Sequence, residues 1–232
     1  MQIENPIVTG RLIKRYKRFL ADVELSDGSV LTAHCPNTGS LKGCLEQGSE
    51  VVLRDSCNPE RKLQYTLQTI RVGETWVNVD TGLPEGLALE AVRAGRIPSL
   101  AGYPVVRTQV KYGKNSRIDL YLECPERGRC YVEVKNTTLT EGSRGLFPDA
   151  VTERGRKHLL ELADVVAEGH RGVMLFVVSR GDVTQFAPAD AIDPEYGQTL
   201  REVAGRGVEI LAYSTEVLPD RFELGHPLKV EL

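Results

Sequence analysis

The 232-residue sequence predicts an α+β chain of two domains, a small all-β barrel followed by a mixed-sheet α/β unit. Three observations carry this. Short alternating strands fill residues 1 to about 85, and a Gly/Pro-rich joint, TGLPEG (81–86), follows them. From residue 86 to 232, helical periodicity alternates with strands.

In the first domain FLADVEL (19–25) and SVLTAHC (29–35) flank SDG, whose Asp27-Gly28 pair suits a tight hairpin turn. EVVLRD (50–55), LQYTLQTIRV (63–72) and TWVNVD (75–80) follow, the last two joined at Gly73-Glu74. Five or six short strands in some 80 residues fit an OB-like barrel. NTGSLKG (37–43) lacks the GxxxxGK[ST] spacing of a phosphate loop and reads as a turn capping that barrel.

In the second domain LALEAVRAG (87–95) reads as a short helix ended by Gly95. VVRTQVKYG (105–113), RIDLYLE (117–123) and RCYVEVK (129–135) read as a meander of strands. VTERGRKHLLELADVVAEG (151–169) is a helix with Leu159, Leu162, Ala163 and Val166 on one face. GVMLFVV (172–178) is a strand apolar enough to be buried on both sides. PEYGQTLREVAG (194–205) is a helix with Pro at its start and Gly at its end, and VEILAYS (208–214) closes the sheet. The helix between YVEVK and GVMLFVV makes a crossover, so those two strands are parallel and helices cover both faces.

Hydrophobic residues are 41% and charged residues 26%, and no apolar run of membrane-spanning length occurs. The N-terminal stretch has no apolar core before a small-residue cleavage site, so a cytoplasmic protein without a membrane partner is expected. Cys35, Cys44, Cys57, Cys124 and Cys130 form no CxxC pair and read as reduced, mostly buried thiols. A net charge of −3 excludes a histone-like binder acting through bulk charge, so local basic clusters carry any nucleic-acid reading.

The hairpin RIDLYLECPERGRCYVEVK (117–135) carries the chemistry. Ile118, Leu120 and Leu122 alternate with Asp119, Tyr121 and Glu123, while Cys130, Val132 and Val134 alternate with Tyr131, Glu133 and Lys135. A loop of CPERG (124–128) pairs Tyr121 with Tyr131 and sets Asp119 opposite Glu133. Like charges so placed repel, with Cβ atoms ~5 Å apart. A divalent cation such as Mg²⁺, which takes carboxylate oxygens and keeps several waters, would offset this. Lys135, on the same face, would hold or deprotonate a water. A slip of two residues would instead pair Asp119 with Lys135 as an ordinary surface ion pair.

Two basic clusters stand out. RLIKRYKR (11–18) supplies Arg11, Lys14, Arg15, Lys17 and Arg18, interleaved with Tyr16 and followed by Phe19. Such a stripe suits phosphates and stacked bases, and it also suits a solvated edge strand. In TERGRKH, Arg154, Arg156, Lys157 and His158 open a helix, where cations oppose the helix dipole unless an anionic partner is present.

Asp119, thirteen residues, then Glu133-Val134-Lys135 resembles the PD-(D/E)XK nuclease core, with Ile118 where that motif has Pro. NTGSLKGCL (37–45), NSRIDLYL (115–122), YVEVKNTTL (131–139) and FPDAVTERGRKHLLEL (147–162) resemble the sugar fermentation stimulation protein A family across nearly the whole chain. The resemblance implies a restriction-endonuclease-like second domain and DNA binding of low sequence specificity, single- or double-stranded. It also implies a bacterial or archaeal cytosolic setting and a link to regulation of sugar metabolism. Its nuclease reading makes Asp119, Glu133 and Lys135 catalytic, with Mg²⁺ or Mn²⁺ on Asp119 and Glu133. The Val134 carbonyl is a further candidate ligand, and Glu90 is the carboxylate from the helix before the meander. A non-catalytic DNA-binding regulator and a protein-interaction module are the alternatives, and a homodimer is left open.

Overall fold

The computed structural model describes residues 1–113 and 116–232. Asn115, which opens the NSRIDLYL string, lies outside the described residues.

The first domain comprises β1 (Ile7–Tyr16), β2 (Leu20–Leu25), β3 (Val30–His34), β4 (Glu50–Asp55), β5 (Tyr65–Val72) and β6 (Thr75–Asn78). The sheet order is β3-β2-β1-β4-β5-β6, and β3 returns to β5 at His34 and Thr66, closing β1 to β5 into an OB-like barrel. Alternation sends Leu12, Val23, Ala33, Val51 and Leu53 inward, and a register shift in β5 brings both Leu67 and Ile70 into the same core. β1 is not an edge strand: it pairs with both β2 and β4. Of the basic residues, Arg11 lies where β1 is flanked on both sides, Lys14 and Arg15 lie where it pairs with β2 alone, and Lys17 and Arg18 follow its end at Tyr16.

The second domain opens with α1 (Leu83–Arg93) and continues with β7 (Val105–Tyr112), β8 (Ser116–Cys124), β9 (Gly128–Thr137), β10 (Thr140–Glu141) and β11 (Arg144–Phe147). Then come α2 (Glu153–Ala167), β12 (Arg171–Val178), β13 (Gln185–Pro188), α3 (Pro194–Gly205), β14 (Glu209–Val217), β15 (Phe222–Pro227) and β16 (Lys229–Val230). The main sheet runs β15-β14-β12-β9-β8-β7, with β9, β12 and β14 parallel and the outer pairs antiparallel. A second, small sheet runs β10-β11-β13-β16.

α1 starts at Leu83, inside the stretch read as a joint, because Pro84 falls in the first turn where its missing N–H costs nothing. α2 is capped by the Thr152 hydroxyl, which accepts from Gly155 N, and α3 by Asp193, which accepts from Tyr196 N. Leu159, Leu162 and Ala163 of α2 pack with Met174, Phe176 and Val178 of β12 and with Tyr196 and Leu200 of α3 on one face of the main sheet. On the other face, Ala88, Ala91 and Val92 of α1 pack with Leu120, Leu122, Val132, Leu175 and Val177. Both faces are thus covered, as the continuous apolar run of β12 requires. At Gly172 an added Cβ would stand 2.9 Å from the Leu162 carbonyl, so glycine is what lets α2 lie this close to β12.

The hairpin register follows the loop length: Tyr121 pairs with Tyr131, Glu123 with Arg129 and Cys124 with Gly128. Two corrections apply. The β8–β9 ladder ends at Leu120 and Val132, so Asp119 and Glu133 lie just past its last pair. Ile118 joins the α2-side core while Leu120 and Leu122 join the α1-side core, so the alternation breaks at Asp119. The sheet also does not end at β14: β15 adds an antiparallel edge beyond it.

The domains meet at Met1, Ile3, Trp76, Leu83, Leu87, Val217 and Phe222, which form one apolar cluster. The chain start is part of this junction, with Gln2 bridged to Arg221. No helix among the described residues is long and apolar enough to cross a membrane. Cys35, Cys44, Cys124 and Cys130 are buried free thiols, and Cys57 is exposed.

Candidate metal centre and anionic cleft

Where β8 and β9 part, a cleft of about 590 Å³ opens, lined by Gln109, Asp119, Glu133, Lys135 and the α2 residues Arg154, Lys157 and His158, with Ser116, Arg117 and Val134 completing it. Asp119 reaches across the fork: its Oδ2 accepts from Val134 N at 2.8 Å, and its side chain takes over where the backbone ladder stops. Glu133 is 3% exposed and faces α2. Its Oε1 accepts from Lys135 Nζ at 2.7 Å and meets His158 Nδ1, while Lys135 Nζ stands 3.1 Å from the same imidazole nitrogen. Glu133 Oε2 is buried without a hydrogen-bond partner.

Burial and then the neighbouring Glu133 push the Asp119 carboxyl up to about 6. Burial pushes Glu133 upward too, but His158 and Lys135 outweigh it and leave Glu133 below the usual carboxylate range. The buried Tyr112 hydroxyl is raised by desolvation and by Glu133, Glu161 and Asp119. The pocket is therefore strongly acidic at its floor. Its mouth is cationic, with Arg117, Arg154 and Lys157 along the rim.

Among the described residues no three His, Cys, Asp or Glu side chains converge into a ready-made metal cage. The donor set that exists is the Asp119–Glu133 pair. A buried carboxylate oxygen without a donor, beside a second carboxylate whose ionisation is disfavoured, fits a hard divalent cation. Such an ion needs only one or two carboxylates and completes its shell with carbonyls and water.

The structure divides the residues singled out from sequence. Asp119, Glu133, Lys135, Arg154, Lys157 and His158 share the cleft. His158, grouped in sequence with the DNA-contacting cations, is instead buried at the carboxylate floor. Arg156 turns away to Asp193 and Glu195 at the start of α3, since consecutive helical residues lie about 100° apart. Glu90 pairs with Arg96 at 2.6 Å and with the Met1 amine at 3.1 Å, outside the cleft. The α1 carboxylate nearest Asp119 is Glu85: the Gln109 amide donates to Glu85 Oε2 at 2.9 Å and to Asp119 Oδ1 at 3.1 Å. Gln109 holds this bridge with φ +54 in the middle of β7, a conformation rare for a side-chain-bearing residue. Sequence reading missed Glu85 because it fell in the assumed joint, although Pro84 signals a helix start one residue earlier.

The β1 cluster scatters. Arg11 donates to the Gly48 carbonyl at 3.0 Å, and Lys14 lies 3.7 Å from Asp22. Arg15 is spent on the carbonyls of Arg18, Asn37 and Gly39, and Arg18 on that of Thr38. Lys17 sits in the β1–β2 turn at φ +49.

Two family patterns match. The one described as the SfsA N-terminal OB domain covers residues 13–79, and the one described as the sugar fermentation stimulation protein RE domain covers residues 82–221. The chain belongs to the sugar fermentation stimulation protein family. Among relatives, the sugar fermentation stimulation protein homolog of Geobacter sulfurreducens is 54% identical over 230 residues, covering 99% of this chain and 98% of that one. The homolog of Paramagnetospirillum magneticum is 48% identical over 232 residues, covering 100% and 98%. A solved family structure, described as Pyrococcus furiosus SfsA in complex with Ca²⁺, superposes with a TM-score of 0.88 at 25% identity over 100% of both chains.

Proposed function

We propose that this protein binds DNA with little sequence preference at the cationic mouth of this cleft and hydrolyses phosphodiester bonds at its acidic floor as a PD-(D/E)XK-type nuclease, in the cytoplasm. The single observation that carries the reading is the buried Glu133 carboxylate, with one oxygen unpartnered, facing a cleft rimmed by Arg117, Arg154 and Lys157. Asp119 and Glu133 would hold Mg²⁺ or Mn²⁺. When bound, such an ion raises the nucleophilicity of water and neutralises charge on the scissile phosphate. The Ca²⁺ named for the Pyrococcus relative supports a hard-cation site, since Ca²⁺ and Mg²⁺ both prefer oxygen ligands.

Each side chain then has a task. Glu133 Oε1 accepts from the Lys135 ammonium and holds it in place, where it orients a water or, once deprotonated, takes that water's proton. Arg154 and Lys157, three residues apart on α2, share a helix face and position phosphates. Through its contact with Glu133, His158 fixes the carboxylate. The family's link to sugar utilisation would then be an effect of DNA binding on gene regulation.

Incubation with single- and double-stranded DNA, in Mg²⁺, Mn²⁺ or chelator, tests the reading. Wild-type protein is expected to cut only with metal. Asp119→Asn should retain binding in a gel shift and lose at least about 100-fold in cleavage rate. Binding without cleavage by wild-type protein in both metals would leave a non-catalytic regulator on a nuclease-like fold. No DNA binding at low salt, where phosphate contacts are strongest, would remove both.

A further inference from the structure

The segment Asn37–Gly43, between β3 and β4, reads in sequence as a capping turn, but in the structure it gathers hydrogen-bond donors. The Ser40 N–H (2.9 Å), the Ser40 hydroxyl (3.1 Å) and the Leu41 N–H (3.3 Å) converge on a single oxygen, Asp149 Oδ2. Asp149 lies more than 100 residues away, in the other domain. Leu41 holds φ +48, and a left-handed residue in such a turn aims successive N–H groups into one concavity that favours anions. At Gly39 an added Cβ would lie 2.7 Å from Asp149 Oδ2, so glycine keeps the concavity open. The carbonyl side of the loop is braced separately: Arg15 donates to Asn37 O (2.8 Å) and Gly39 O (2.9 Å), and Arg18 to Thr38 O (2.9 Å). The exposed Lys42 follows.

A second observation points to a ligand. Asn37 and Asp149 share a small polar recess with Asn136, Thr137 and Thr138, which directly follow Lys135 on β9. In that recess Thr137 Oγ1 is buried without a partner. Two residues of strand span ~6.6 Å, so the recess lies along β9 from the cleft by about two nucleotides of axial rise at ~3.4 Å each.

We propose that the 37–43 loop is a phosphate-binding site for the nucleic-acid backbone, and that the Asp149 carboxylate fills it in the free protein as a stand-in for the phosphate. The proposal rests on the DNA-binding reading above. It assigns Arg15 and Arg18 to shaping the loop, and the backbone N–H groups to contacting the nucleic acid.

Equilibrium binding of a fluorescent single-stranded oligonucleotide in EDTA, over a salt series, tests this apart from any metal chemistry. Asp149→Asn keeps the side chain's shape and removes the competing charge. It is expected to bind about fivefold tighter across the series. Ser40→Ala, which loses one donor, is expected to bind about threefold weaker. Unchanged or weaker binding by an Asp149→Asn protein with native circular dichroism overturns the proposal. Should that variant fail to fold, ¹⁵N-labelled wild-type protein decides. Amide shifts at Ser40 and Leu41 on adding the oligonucleotide are expected, and their absence overturns it. Shifts with inorganic phosphate but not with the oligonucleotide would make the loop a small-anion site and overturn the nucleic-acid assignment. Metal-dependent cleavage by wild-type protein stands or falls independently of these outcomes.

Discussion

Asp119 and Glu133 face one another across the end of a ladder, yet they are held differently. Glu133 has two basic partners on one oxygen, whereas Asp119 has a backbone N–H and an amide. Burial and its acidic neighbour therefore fall on Asp119, raised to about 6 from 3.8. Below pH 3.8 the group is protonated folded or unfolded and costs nothing. As pH rises toward 6 its ionisation increasingly disfavours the free folded state, and above that the cost is constant. A cation needs the ionised form, so Mn²⁺ affinity measured by calorimetry should weaken about tenfold between pH 7 and pH 5. Glu85→Gln should weaken the same affinity, while Glu90→Gln should leave it unchanged, because only Glu85 shares the Gln109 amide with Asp119. The carboxylates and the lysine were legible in sequence because the five-residue loop fixes the hairpin register as far as Leu120 and Val132, but not their placement past that pair, because the alternation breaks at Asp119. The Glu85–Gln109 bridge was not, since it depends on a positive φ that no residue pattern signals.

Elements with whole periods were legible, and fragments were not. α3 spans Pro194–Gly205, as its Pro start and Gly end dictate, and α2 begins two residues inside the stretch 151–169 read as helix because Thr152 caps it. The small sheet was invisible: β10 and β16 are two residues each, too short for alternation to register. β15 was hidden by its Gly and Pro, which weaken a strand in sequence but are tolerated at a sheet edge. α2 carries both the α2-side core and three residues of the cleft, so its seating matters to both. Gly172→Ala would drive a methyl against the Leu162 carbonyl and push the helix off β12. The expected loss is about 1–3 kcal/mol, seen as a melting temperature lower by roughly 3–10 °C.

At the scale of the whole molecule, the two domains read separately from composition, but their junction did not, because it joins residues more than 100 positions apart. Met1, Ile3, Trp76, Leu87 and Phe222 share one apolar cluster, with Phe222 fully buried. Trp76 is the chain's single tryptophan, so its fluorescence reports this junction. For wild-type protein the fluorescence and circular dichroism melts should coincide. Phe222→Ala is expected to cost about 3–5 kcal/mol and to lower the tryptophan midpoint by about 10 °C or more.

The backbone of Ile3 donates to Asp220, and that of Phe222 donates to Met1. On the ribosome this has a temporal consequence. The barrel strands emerge early and can close among themselves, but Asp220 and Phe222, the backbone partners of Ile3 and Met1, emerge more than 200 residues later. Synthesis would thus leave this backbone seam open on a finished barrel until the second domain has emerged.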